Sequence, residues 1–121
     1  MQFGYREDFS LTKPIRCAYR QSQSMTNVGF QRVSLRQKPN SRPLVWEFRG
    51  LFKRLALVSQ GGRTAEAVPY VNSNGVSVVL LRGNGAHLFT IWASGVSVWT
   101  KHDTIQGLFG ANQFLGICEN F

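Results

Sequence analysis

Two histidines, two cysteines and six acids are the groups in this chain that could attack, ligate or move a proton. His102 adjoins Asp103, and with His87 and a serine such as Ser94 or Ser97 the residue types of a serine hydrolase are present. The nucleophile-elbow pattern that would hold such a serine at a strained strand-to-helix turn does not accompany them. A small hydrolase or nuclease is therefore only the third reading, and the sequence points to a non-enzyme with no catalytic residue. Metal chemistry is unsupported as well: His87, His102, Cys17 and Cys118 show neither C-x-x-C nor H-x-x-x-H spacing, so no metal and no cofactor is expected. Among the acids only Glu7 and Asp8 are neighbours, which gives no carboxylate pair for glycosidic or proton-transfer work.

Cys17 and Cys118 lie near opposite ends of the chain and are a candidate disulfide. Joining them would close a loop of about a hundred residues, worth up to ~4–5 kcal/mol in the chain-entropy account. The first thirty residues hold no apolar signal-peptide core, and on that ground reduced thiols are the favoured expectation.

Charge is the stronger signal. The chain carries +8, and residues 1–63 hold twelve Lys and Arg against three acids, a balance of +9. Such a polarised positive field attracts phosphate polyanions and speeds their encounter. Arginine outnumbers lysine ten to four, which suits bidentate phosphate contact and stacking on bases. Arg32, Arg36, Lys38, Arg42, Arg49, Lys53 and Arg54 fall in one stretch whose only acid is Glu47. With Arg63 they form the candidate nucleic-acid-binding set. Gly61-Gly62-Arg63 itself lacks the Gly-Lys-Ser/Thr ending of a phosphate loop and reads as a connection.

The elements that would position these groups centre on residues 68–101. Asn72-Ser73-Asn74-Gly75 and Gly83-Asn84-Gly85 separate three apolar runs, and each is a hairpin signal because Asn and Gly tolerate positive φ. Val78 to Leu81 is apolar on both faces, as in a strand covered from two sides. From Val96 to Thr100 the residues alternate, with Val96, Val98 and Thr100 on one face and Ser97 and Trp99 on the other. Residues 44–60 read either as one amphipathic helix or as two strands broken at Gly50, and the β-rich surroundings favour strands. A short helix could begin at Asp103, and Phe114, Leu115, Ile117 and Phe121 make an apolar tail.

The expected fold is mainly β, a single antiparallel β-barrel or β-sandwich with a hairpin meander and room for one helix. The alternative is α+β with a helix near 44–60. Residues 1–27 read as a basic N-terminal extension and 28–121 as one β-rich domain, a size that buries roughly two-thirds of the unfolded surface. No apolar run reaches transmembrane length. The expected function is a non-catalytic nucleic-acid-binding subunit, RNA ahead of DNA, or a structural subunit of a ribonucleoprotein or virion. Its partners would be nucleic acid or another polyanion, together with protein subunits or further copies of itself, and its setting the cell interior or a particle. A secreted β-sandwich effector that binds a host protein is the runner-up.

Overall fold

The structure is a computed structural model that describes residues 10–26, 29–34, 43–50, 54–82, 85–105 and 108–121, with backbone alone for 24–26, 29–34, 82, 105, 108 and 109. Its strands are β1 (Ile15–Thr26), β2 (Gly29–Ser34), β3 (Leu44–Arg49), β4 (Leu55–Gln60), β5 (Arg63–Asn72), β6 (Gly75–Arg82), β7 (Gly85–Trp92), β8 (Val96–Ile105) and β9 (Leu108–Asn120). Every neighbouring pair is antiparallel, and β1 pairs with both β3 and β9. The circuit β1-β3-β4-β5-β6-β7-β8-β9 thus closes on itself as an eight-stranded meander barrel, with no helix among the described residues. Closure gives each of these strands two partners and removes the exposed edges of an open sheet. The ninth strand, β2, forms a hairpin on the far half of β1, where Gln21 faces Ser34 and Thr26 faces Gly29.

The ambiguity over residues 44–60 resolves to strands. Leu44, Trp46 and Phe48 alternate inward on β3, Ala56 and Val58 do so on β4, and Gly50 follows β3 at φ 86°. The Asp103 region continues β8 instead of starting a helix, and the apolar tail is the thirteen-residue strand β9. The first hairpin is shifted by one residue from its Asn-Gly signal. Asn72 faces Gly75 across a turn at Ser73 and Asn74, and the Asn72 side chain accepts the Asn74 N–H at 2.7 Å. Gly61 and Gly62, at φ 59° and 85°, form a two-residue hairpin turn between Gln60 and Arg63. Both values are positive, as the twist-matched hairpin turn requires, so this is a tight reversal and not a loose connection.

The segment expected to be an extension, 1–27, includes β1, which runs beside β9 from Ile15↔Asn120 to Thr26↔Gly110 with a bulge at Arg20. Ile15 and Cys17 are completely buried. Cys17 and Cys118 are register partners across this seam and form a disulfide. This corrects the expectation of reduced thiols, which rested on the N-terminal composition and not on where the two strands meet.

One end of the barrel is sealed. Residues 10–14 lie over it, Leu11 joins the core, and the Asn120 side chain accepts from Ser10 N at 2.7 Å and donates to Ser10 O at 2.8 Å. Trp46, Phe89, Ile91, Val76 and Val78 fill that half of the interior. Trp46 and Phe89 meet edge to face at 4.8 Å between centroids. The Trp46 indole N–H has no hydrogen-bond partner among the described residues, a cost of about 1–3 kcal/mol carried by the packing around it.

Candidate functional site

The other half of the barrel is hollow. Inward positions on β8 carry Ser97, Trp99, Lys101 and Asp103, so the mixed face of that strand is the inner one. Trp99 faces Phe89 on β7 and Phe114 on β9, with centroids 5.1 and 4.5 Å away. Its indole Nε1 donates to His87 Nδ1 at 3.0 Å, which fixes the proton of a neutral His87 on Nε2. Tyr19 from β1 meets the Trp99 ring edge-on at 5.5 Å and shares a 2.9 Å hydrogen bond with Ser97. Gly116, directly opposite Tyr19, makes this approach possible, because a Cβ there would lie 2.6 Å from the Tyr19 ring. Burial pushes the Tyr19 hydroxyl up to about pKa 12, a shift the Ser97 hydrogen bond offsets only in part.

Above these rings opens a cavity of about 770 Å³. Its floor is Leu44, Val58, Leu80, Phe89 and Trp99, and its rim holds Gln60, Arg63, Thr64, His87, Lys101 and Asp103. Lys101 Nζ and Asp103 Oδ2 are 3.5 Å apart, which leaves Arg63 to tip the rim's formal charge to +1. A second cavity of about 720 Å³ shares Leu44, Gln60 and Trp99 with the first and reaches Tyr19, Phe114 and Arg20. It lies where β1 leaves β3, since their pairing ends at Cys17↔Leu44 while β1 continues beside β2.

The basic set is dispersed where it is described. Arg49 ends β3 and contacts Glu47 at 3.3 Å, and Arg54 precedes β4; both stand at the sealed end. Arg63 opens β5 at the mouth, one strand length or roughly 20 Å away. Arg36, Lys38, Arg42 and Lys53 lie outside the described residues, as does the side chain of Arg32. The hydrolase constellation is not assembled. Ser97 is buried against Tyr19, Ser94 sits in the turn at the sealed end, and exposed His102 lies on the outer face while its neighbour Asp103 faces inward to Lys101. Among the described residues no group of three His, Cys, Asp or Glu could hold a metal, and no helix is long and apolar enough to cross a membrane.

Gln60, Thr64, Trp99 and Lys101 did not stand out in the sequence as site residues. The signal that could have found them is the alternation on β8, which continues from Ser97 and Trp99 to Lys101 and Asp103. An inner strand face that turns from apolar to charged marks the level at which a barrel opens.

The fold and cavity define a closed antiparallel barrel with one sealed end and one hollow, aromatic-floored mouth. Comparison with known protein families, curated proteins and solved structures finds no match to this chain.

Proposed function

We propose that the protein binds a small molecule in the barrel mouth, a ligand with a flat apolar body and one anionic group. The observation that carries this reading is the 770 Å³ cavity with rings below and paired polar groups above. Ligand pockets typically span about 300–1,000 Å³ and combine a mainly apolar lining with a few polar groups that set orientation. An eight-stranded barrel is also about the size that encloses one small ligand. Phe89 and Trp99 offer ring faces to the body, and Arg63 and Lys101 offer charge to the anion. The test is titration with 8-anilinonaphthalene-1-sulfonate, followed by dye fluorescence. One saturable site is expected, lost in Ala65→Phe, which fills the cavity from a half-buried lining position. Binding that Ala65→Phe leaves unchanged would place the dye elsewhere and refute the reading.

A second reading, contact with RNA or another polyanion in a larger assembly, is supported by the +9 balance of residues 1–63. It draws on a largely different set of residues, with Arg63 common to both.

A further inference from the structure

The wall of the barrel is interrupted on one edge of β1. Pairing with β3 ends at Cys17↔Leu44 and pairing with β2 begins at Gln21↔Ser34, so Ala18, Tyr19 and Arg20 have no strand on that side. The sequence builds both margins of this gap. Pro43 stands just before Leu44 with no N–H to extend the β3 ladder, and Arg20 is the extra residue of the β1 bulge. The 720 Å³ cavity lies here, bounded by Tyr19, Leu44 and Phe114 from the inner face and by Ala18 and Ile117 from the outer face. Residues of both faces can border one space only where the wall is open. The cavity therefore leads from the Trp99 ring out through the side of the barrel. Its chemistry differs from that of the mouth, because Ala18, Pro43, Leu44, Phe114 and Ile117 make its path apolar, and Arg16 and Glu119 hold each other at 2.7 Å.

We propose that this gap is a second arm of the ligand site, filled by an apolar chain of the same ligand whose ring lies on Trp99 and whose anionic group lies at Arg63 and Lys101. The proposal rests on the mouth being a ligand site, and it makes the ligand an amphipathic anion with a tail. Leu44, Gln60 and Trp99 border both cavities, so one molecule can occupy the two without crossing a wall. A second charged group would find only Arg20 unpaired in the arm, and Arg20 is exposed, where water weakens the attraction. Methylenes gain from every apolar surface they leave water to cover. That gain ends where the chain passes the exposed Ile117 and meets solvent.

Calorimetric titration of the full, disulfide-bonded chain with 2-naphthoate and with 6-hexyl-2-naphthoate tests the arm. Each buried methylene is worth about threefold to fourfold in affinity, so the hexyl compound is expected to bind tighter by about tenfold or more. Ala18→Phe fills the arm from an exposed outer position, and Ile117→Glu sets a carboxylate against the chain. Each alone is expected to remove most of the hexyl gain, with 2-naphthoate affinity and near-ultraviolet circular dichroism unchanged. Tight 2-naphthoate binding with no hexyl gain would overturn the arm and leave the mouth standing. A gain that both substitutions spare would place the chain in the mouth and overturn it as well. So would substitutions that slow ligand exchange in stopped-flow mixing without changing affinity, since the gap would then be a passage only. If neither compound binds, the mouth reading fails and the arm with it.

Discussion

Tyr19 ionises late because its hydroxyl is buried between Trp99 and Ser97, where a phenolate would lose its water. Its proton is therefore held more tightly in the folded chain than in the unfolded one, whose tyrosine ionises near 10. The resulting stabilisation is complete below pH 10 and is lost as pH rises toward about 12. We expect the denaturation midpoint of the native chain to fall across that window, and Tyr19→Phe to flatten the fall. An equal slope in both proteins would contradict the assignment. At His87 the relevant loss is an acceptor. His87→Phe keeps a ring beside Trp99 but strands the half-buried indole N–H, so a stability loss of about 1–2 kcal/mol in urea unfolding is expected. No loss would mean that the Trp99–His87 hydrogen bond does not hold the cavity floor in place.

At the scale of elements, the seam between β1 and β9 closes the barrel, and the Cys17–Cys118 disulfide spans it with a sequence separation of 101. A cross-link over so long a loop restricts the unfolded chain strongly, and removing a native one typically costs about 2–5 kcal/mol. Cys17→Ala with Cys118→Ala is expected to lower the thermal midpoint by on the order of 10 °C. A change under about 2 °C would show that strand pairing alone holds the seam. This seam was the part of the fold least legible in the sequence. The meander from β5 to β8 was readable because its turns are local and carry Asn and Gly, whose backbone tolerance is a property of the residue itself. The β1–β9 pairing joins the two ends of the chain, and nothing local in Ile15 to Thr26 records which strand will lie beside it. The polar run Gln21-Ser22-Gln23-Ser24 has no apolar alternation to mark it as strand, and one of its two partners, β9, lies at the other end of the chain. Trp99 was visible as one member of an alternating strand, but which face was inner depended on closure, and with it the whole cavity.

For the molecule as a whole, two surfaces carry separable expectations: the mouth and the basic first half. If four to six basic residues engage phosphates, log K for RNA should fall with log salt at a slope of roughly −3 to −5. Reversing charge at Arg36, Lys38 and Arg42 should reduce that slope, and a slope near zero in the native chain would remove the polyanion reading. The mouth is the central claim, and calorimetric titration of the native chain with 2-naphthoate and with its neutral carboxamide tests it most directly. The account predicts one site per chain, with the carboxylate tighter by about tenfold, or ~1.4 kcal/mol, and that advantage lost in the Arg63→Met Lys101→Met variant. No saturable binding of either compound, or equal affinity for both that the double substitution leaves untouched, would contradict it.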